Sequence, residues 1–246
     1  SKKAIQENEI MKMKKSIAMK DRLQVVIKEY SAILILLALV LAMSILKGDS
    51  FLKSTNLVNI IRQQAVIGII ALGIMFPIVS GGTDLSGGSV VALCGVFAAL
   101  AVRAELPIPL VFLIAIVIGA LTGVINGFFI AYGNVPAFIA TLGMMSAARG
   151  AALLITDSKN INGFYDAFES IGTDSFLGLP IAAWIFVLMA IIIYIILERT
   201  KYGTSIYAIG GNATAAKVSG INVRLCNFMG YVIAGTVWCG GVLSGV

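Results

Sequence analysis

The sequence contains no histidine, which removes histidine triads, histidine metal ligands and the usual general base near neutral pH. No glycine is followed directly by lysine, so a Walker A loop is absent. If ATP drives this protein, another subunit binds it. The three cysteines, Cys94, Cys226 and Cys239, lie in apolar segments without metal-site spacing, and we interpret them as small core residues. We therefore expect no catalytic residue, no metal site and no cofactor.

Charge is also scarce. Only 12% of the residues are charged and 59% are apolar, with a mean hydropathy of +0.99, which predicts an all-α polytopic membrane protein. The net charge of +6 does not indicate a nucleic-acid partner, because the cations lie around the ends of apolar segments. Eight of the 18 lysines and arginines lie in residues 1–30, which we interpret as a basic cytoplasmic tail.

Seven apolar segments are candidates for membrane-spanning helices. They are Ser31–Leu46, Ala65–Val79, Ser89–Val102, Leu110–Tyr132, Ala137–Ile155, Ile181–Leu197 and a segment from Leu225 onward. Several are short for a hydrocarbon core of about 30 Å, which favours broken or tilted helices. A cleaved signal peptide is the competing interpretation of the first segment, and the length of its charged leader argues against it.

The distribution of lysine and arginine orients these segments with the N-terminus in the cytoplasm. Alternation then places twelve cations on the inner side and five on the outer side. Loop 198–224 lies inside, and loop 156–180 lies outside. The last segment reaches Val246 without a polar tail, so we expect the natural chain to continue and residues 31–246 to form an incomplete membrane domain.

A polar break at residues 81–89 interrupts this apolar sequence. Its candidate functional residues are Gly81, Gly82, Thr83, Asp84, Ser86, Gly88 and Ser89. The glycines permit positive φ and close backbone approach, and Asp84 and Ser86 can cap a helix that restarts near Ser89. Two interpretations stay open, a tight, partly re-entrant turn and a broken helix beside a translocation path.

The inner loop contains a second pattern, between Tyr202 and Asn222. Asn212 suits an N-cap, residues 213–219 suit a short helix, and Gly220 suits the C′ position. Because a helix of about two turns is marginal alone, we expect it to dock on its own bundle or on a partner.

A third pattern is the repeat of Gly119, Gly123 and Gly127 at four-residue spacing, which predicts a close-packing face. That face packs either within one bundle or between subunits. Asn126 lies beside it. Arg149, in the next span, either pairs with a carbonyl or carboxylate in the interior or extends to the outer surface.

Two of these motifs together resemble the membrane-spanning permeases of bacterial ABC importers for monosaccharides, the ribose, galactose and xylose class. Those proteins carry a Gly-Gly-x-Asp-Leu-Ser stretch, matched here by Gly81–Ser86. They also carry a longer glycine-rich stretch, matched by Tyr207–Val223. The resemblance covers about residues 50–246, and Thr83 favours the galactose/methylgalactoside type.

The resemblance implies a bundle of about ten spans in the bacterial inner membrane that is not itself an enzyme. Two copies would form one path, with a cytoplasmic ATP-binding subunit and an extracytoplasmic sugar-binding protein. The break, with Asn126 and Arg149, would border the path. The loop would couple to the ATPase through Tyr207, Gly210, Gly211, Asn212, Ala215, Ala216 and Gly220, with Ala215 and Ala216 packed on the ATPase surface.

Other classes of protein give different expectations. An ion-coupled secondary transporter would use Asp84 as its coupling site, but it has no need of a docking helix at 212–220. A channel or scaffold is disfavoured because no second filter-like element is visible. In the importer, loop 156–180, including Asp166 and Glu169, would contact the sugar-binding protein.

Overall fold

The computed structural model describes residue 28, residues 30–161 and residues 174–245, without the side chains that follow residue 241. Most of the basic tail, residues 1–30, lies outside this part. The chain divides into two compact units, one that runs to Leu57 and one that begins at Val58. The described residues are predominantly helical, as predicted.

The first unit is built around helix α1, Ser31–Phe51. None of its residues is buried within the chain, which suits a helix whose apolar side chains face lipid. Lys47 has non-helical dihedral angles, φ −141° and ψ 35°, and marks a kink near the end of the helix. The Asn56 side chain donates a hydrogen bond of 2.9 Å to the Phe51 carbonyl and fixes the turn that follows.

The remaining elements belong wholly or mainly to the second unit. The helices are α2 Ser54–Val79, α3 Gly87–Arg103, α4 Ile108–Ala131, α5 Ala137–Ile155, α6 Ile181–Arg199, α7 Lys201–Gly211, α8 Ala213–Val218 and α9 Val223–Gly245. A small antiparallel hairpin precedes α6, formed by β1 Ser175–Phe176 and β2 Leu179–Pro180.

Five of the described helices are long and apolar enough to cross a membrane, namely α1, α2, α4, α5 and α6. Helix α3 is apolar but shorter, with 17 residues. The described part of the chain is thus that of a multi-pass, all-α membrane protein. The count of seven spans, and the larger bundle of about ten, remain predictions.

Helix α7 was not predicted, and the interpretation of residues 202–222 as a loop with one short helix is wrong. The Thr200 side chain caps α7 by accepting a hydrogen bond of 3.2 Å from the Gly203 amide. Ile206 and Ile209 are buried on one face. Gly203 is a close-approach position, because a Cβ atom there would overlap the Leu197 carbonyl. Gly203 of α7 therefore serves packing.

The main core lies between α3, α4 and α9, with the fully buried Trp238 at its centre. The indole Nε1 donates a hydrogen bond of 3.0 Å to the Ile70 carbonyl of α2. The Sγ atoms of Cys94 and Cys239 lie 3.5 Å apart, and both residues are fully buried. The interpretation of these two cysteines as small core residues is confirmed, while Cys226 is partly buried.

The glycine face of α4 packs against α9. A Cβ atom at Gly119 would overlap the Gly235 carbonyl, and one at Gly127 would lie 2.8 Å from the Phe228 carbonyl. Gly123 meets the backbone of α9 in the same way at Tyr231. The predicted close-packing face is therefore confirmed, and it lies within one chain.

A second cluster joins α2, α6, α7 and α9. Its buried residues are Ile69, Phe76, Ile193, Leu197, Ile206 and Val237. At the edge of this cluster, Gly210 of α7 approaches the Val79 carbonyl so closely that a Cβ atom would overlap it. The C-terminal end of α2 and the inner-loop helices therefore lie at the same end of the bundle.

Candidate functional site

The polar break begins where α2 ends, at Val79. The chain turns at Gly81, whose φ of +88° favours glycine, and the Gly82 amide donates a hydrogen bond of 2.8 Å to the Pro77 carbonyl. A Cβ atom at Gly82 would lie 2.5 Å from the Tyr231 hydroxyl oxygen. The break is thus a compact turn packed under α9.

Asp84 is the centre of a buried polar cluster, with 3% of its surface exposed. Its Oδ1 atom accepts hydrogen bonds from the Ser86 amide at 2.9 Å and the Ser86 hydroxyl at 2.6 Å. The Asn126 side chain of α4 donates to the Ser86 hydroxyl oxygen at 3.1 Å. The sequence prediction that these three residues belong together is supported by direct contacts, which join the break to α4.

The predicted capping role of Asp84 and Ser86 needs correction. Helix α3 begins at Gly87, two residues before the predicted start at Ser89, and the Ser86 side chain makes no capping hydrogen bond. The Ser86 hydroxyl donates to the nearby carboxylate instead, which is a stronger acceptor than a neutral group. Asp84 therefore closes an Asx-type turn on the residue two positions ahead.

Two neighbours complete the cluster. The Thr141 hydroxyl of α5 lies 3.5 Å from the Thr83 carbonyl, and Tyr231 of α9 is buried beside Gly82. The Oδ2 atom of Asp84 and the Tyr231 hydroxyl make no hydrogen bond within the described part of the chain. Sequence reasoning missed Tyr231, although a tyrosine in an apolar span is a signal because its hydroxyl requires a polar surrounding.

The other predicted path residues are spread over different surroundings. Gly81, Thr83 and Gly88 are exposed, and Ser89 is partly buried at the start of α3. Arg149 lies elsewhere, about 12 Å along α5 from Thr141. The structure therefore does not bring Arg149 together with the break.

Arg149 lines a cavity of about 330 Å³ between α3 and α5. Gly95 and Ala99 form part of its wall on α3, and Thr156 and Lys159 form part of its rim. Arg149 is exposed, and the described residues provide it with no ion-pair partner. Of the two alternatives for Arg149, its exposed side chain fits extension to the surface, and no pairing with an interior carbonyl or carboxylate is present among the described residues.

The inner-loop helix forms as the sequence predicts. The Asn212 side chain accepts a hydrogen bond of 3.0 Å from the Ala215 amide, which is the predicted N-cap. Gly220 has φ +88° after the last turn, which is the predicted C′ position. Helix α8 ends at Val218, within one residue of the predicted end.

The outward surface of α8 differs from the predicted one. Ala216 is buried against its own chain, with 4% of its surface exposed, so its expected contact with an ATPase is wrong. Neighbouring residues point to different sides of a helix, so α8 turns Ala216 toward the bundle and Ala215 away from it. Ala215 is exposed, and Val218 is 85% exposed. Together with the exposed Ala213, these two residues, not Ala216, are the exposed apolar residues of the helix.

The adjoining helix α7 presents Tyr207 and Gly211 on its surface. The Tyr207 hydroxyl donates a hydrogen bond of 3.2 Å to Glu198 at the end of α6, and this bond raises the pKa of the tyrosine. No atom lies within 4 Å of a Cβ position on Gly211, whereas Gly210 packs against the end of α2. Of the predicted coupling residues, Gly210 and Ala216 thus serve internal packing.

The expected binding surface of loop 156–180 is only partly described. Asp166 and Glu169 lie outside the described residues. The hairpin before α6 is held by the Trp184 indole, which donates a hydrogen bond of 3.0 Å to the Phe176 carbonyl. The predicted contact of this loop with a sugar-binding protein stays a prediction.

The sequence matches known proteins over most of its length. Residues 56–244 match a family described as branched-chain amino acid transport system / permease component. The chain is 42% identical over 212 residues to the ribose import permease protein RbsC of Haemophilus influenzae, covering 85% of this chain and 64% of that protein. It is 39% identical over 202 residues to RbsC of Bacillus subtilis, covering 81% of this chain and 62% of that protein.

A galactose relative is similarly close. The galactose/methyl galactoside import permease protein MglC of Escherichia coli is 39% identical over 233 residues, covering 86% of this chain and 69% of that protein. The chain spans slightly less than two thirds of the length of the two ribose permeases. No solved structure matches the chain.

Proposed function

Because this chain belongs to the family of branched-chain amino acid transport system permease components, we propose that it is the membrane-spanning permease subunit of an ATP-driven monosaccharide importer. Relatives that support this proposal are import permeases for ribose and for galactose and methyl galactoside. The preference for a galactose-type substrate remains a prediction, since relatives of both kinds match. In this role the chain is a transport component, and ATP hydrolysis belongs to a separate subunit.

The observation that carries the proposal is the capped helix α8. Its ends are fixed by Asn212 and Gly220, but its Val218 side chain is 85% exposed beside the exposed Ala215. A six-residue helix gains little stability by itself. Helix α8 is nevertheless capped at both ends and exposes Ala215 and Val218, the apolar tip of the helix, which suits docking on a partner. We assign that tip to the ATP-binding subunit.

The arrangement of the bundle supports the predicted orientation. Alternation places the break, the turn after α4 and the loop around α8 on the cytoplasmic side. In the second unit these three connections lie close together: Thr141 reaches the Thr83 carbonyl, Gly210 approaches Val79, and one cavity is lined by Asn134 and Lys217. We propose that this end is cytoplasmic, with the N-terminus inside.

The break favours the importer over an ion-coupled transporter. The Asp84 Oδ1 atom is bonded to Ser86, which is in turn held by Asn126, whereas the Oδ2 atom has no hydrogen-bond partner in the described part of the chain. Asp84 lines neither the cavity beside Arg149 nor the one lined by Asn134 and Lys217. A coupling carboxylate must exchange its ion or proton with an open path. We infer that the break is a structural turn that positions α3 and α4 beside the path.

The complete importer requires further chains. We propose that two copies of the permease border one path, and that an extracytoplasmic sugar-binding protein delivers the sugar at the opposite end from α8. Cross-linking of the purified protein in membranes tests the first statement, since an exclusively monomeric product would contradict it. Retention of the permease on an immobilised binding protein tests the second.

The decisive experiment measures sugar uptake and co-purification of the ATP-binding subunit together. Val218→Glu places a charge on the exposed tip of α8, and Leu177→Glu places one on the hairpin before α6, where Leu177 is 78% exposed. We expect Val218→Glu to reduce uptake of labelled ribose or galactose and the amount of co-purified ATPase at least tenfold, because the interface would bury an unpaired charge. Leu177→Glu should leave co-purification unchanged.

Normal co-purification and uptake in Val218→Glu would refute the assignment of α8 as the docking helix. Uptake that follows a proton or sodium gradient and is insensitive to loss of the ATP-binding subunit would refute the importer as a whole. The two results are distinct, because the first concerns the contact surface and the second concerns the source of energy.

A further inference from the structure

A large polar cavity lies beside α8, outside the buried cluster at the break. It has a volume of about 730 Å³ and lies between the turn after α4, helix α8 and the first turn of α9. Its polar lining residues are Asn134, Thr214, Lys217, Asn222, Arg224 and Asn227. The proposed translocation path does not require this cavity.

The charge of this cavity is of one sign. Among the residues that the structure describes, Lys217 and Arg224 are the only charged ones that line it, and no described carboxylate does. Both side chains are exposed, and neither has an ion-pair partner among the residues that the structure describes. Two cations without a counter-ion at one concave surface attract an anion, because the walls exclude part of the water that would screen them.

The amide side chains add a second requirement. Asn134, Asn222 and Asn227 can each offer donors and an acceptor, and the Asn227 Oδ1 atom is buried without a hydrogen-bond partner in the described chain. A fully deprotonated anion such as sulfate offers no donor to such an acceptor, whereas an alcohol hydroxyl group does. The lining therefore suits a ligand with both an anionic group and free hydroxyls.

We propose that this cavity binds a phosphate ester that carries free hydroxyl groups, with the phosphate on Lys217 and Arg224. Arginine holds two phosphate oxygens through its planar fork, and lysine supplies a mobile point charge. The amides then receive the hydroxyl groups. A phosphatidylglycerol headgroup and soluble glycerol phosphate both have this chemistry.

The position of the cavity favours the lipid as the source. Ile130 and Ala131, at the end of α4, line it together with Val223 at the start of α9, so the cavity lies where two long apolar helices end. Basic pockets at such helix ends on the cytoplasmic side hold anionic headgroups. This step rests on the proposed cytoplasmic orientation. A bound headgroup would also tie α8 to the bundle through Thr214 and Lys217.

Native mass spectrometry of the delipidated full chain tests the proposal. The probes are phosphatidylglycerol, phosphatidylethanolamine and soluble glycerol phosphate, each titrated against the wild type and a Lys217→Gln/Arg224→Gln variant. The matched control is Arg199→Gln/Lys201→Gln, which removes two cations from the same end but outside the cavity lining. Both cavity residues are exposed, so we expect the variant to fold.

We expect phosphatidylglycerol to bind at least tenfold more tightly than phosphatidylethanolamine, and the cavity variant alone to lose this preference. Binding of glycerol phosphate with the same dependence on the two cations would support the chemistry with a soluble source. Equal binding by the wild type and the cavity variant would overturn the proposal. The proposal would also be overturned if the cavity variant lost its association with the ATPase but still bound phosphatidylglycerol and glycerol phosphate as the wild type does.

The result of the lipid-binding experiment does not depend on whether the protein imports sugar. Lipid binding is measured on the purified chain and requires no partner or transport. A chain that binds phosphatidylglycerol in the cavity but takes up no sugar would contradict the proposed function and retain this inference.

Discussion

The crossing of α4 and α9 allows a sharp test of the packing, through a single added methyl group. Gly119→Ala would place a Cβ atom against the Gly235 carbonyl oxygen and the Cys239 sulfur, with the Gly235 carbonyl carbon at 3.1 Å. A backbone carbonyl cannot rotate away as a side chain does. The two helices must therefore separate, by about 1 Å if ordinary van der Waals distances are to be restored.

We expect this separation to cost about 1–3 kcal/mol, the usual range for overpacking a close-packed interior. The matched control is Gly150→Ala in α5, where no atom lies within 4 Å of the Cβ position. Alanine there should stabilise its helix by about 0.5–1 kcal/mol. The two variants should thus differ in unfolding free energy by roughly 1.5–4 kcal/mol.

Thermal unfolding of the purified chain in detergent measures this difference. For a domain of this size it corresponds to a shift in Tm on the order of 10 °C between the two variants. Gly235→Ala should behave like Gly119→Ala, and the double variant should cost less than the two single costs together, since one separation relieves both overlaps. Equal Tm values for Gly119→Ala and Gly150→Ala would refute the close crossing.

Three further predictions concern single contacts. Asp84→Asn should keep most of the sugar uptake, because its amide oxygen can still accept both hydrogen bonds from Ser86. Asp84→Leu should lower the free energy of unfolding by about 1–3 kcal/mol for each buried polar group left unpaired. An equal loss of folded protein in the two variants would contradict this prediction. Gly210→Ala should lower the free energy of unfolding by about 1–3 kcal/mol, measured by thermal unfolding. An unchanged stability would contradict the close contact between Gly210 and the Val79 carbonyl. A membrane-permeable oxidant should join Cys94 to Cys239, and maleimide labelling of the denatured chain should fall from three thiols to one; three reactive thiols would place the sulfurs further apart.

The parts of the fold that depend on local chemistry could be predicted from the sequence. Asn212 and Gly220 act within a few residues of their own positions, so the ends of α8 follow from capping preferences alone. The glycine spacing of α4 likewise indicates a close-packing face, because a four-residue repeat places all three glycines on one side of a helix. The partner helix was not predictable, since nothing in α4 itself points to Gly235.

The errors at Ala216 and α7 concern contacts between distant segments, whereas the capping role predicted for Ser86 failed locally, because its hydroxyl donates to Asp84. Ala216 was expected to face a partner because its side chain is small, yet its neighbour Ala215 has the same property and only the packing of α8 separates them. Helix α7 was not predicted, and its Gly203 and Gly210 permit close approach to the ends of α6 and α2. The choice between an interior partner and an exposed position for Arg149 could not be made from the sequence, because it depends on the open space beside α3.

The central position of Trp238 has a consequence for how the protein is made. Its indole donates a hydrogen bond to the carbonyl of Ile70, which is synthesised 168 residues earlier. Its helix, α9, packs into the groove left by the absence of a side chain at Gly119 of α4. At a synthesis rate of about 5–20 residues per second, Trp238 follows Ile70 by roughly 8–34 s, and α9 does not fill the groove until then. During that interval the groove must be covered by lipid, by the insertion machinery or by a chaperone. Packing of α9 against α2 and α4 is therefore a late step in the assembly of this part of the bundle.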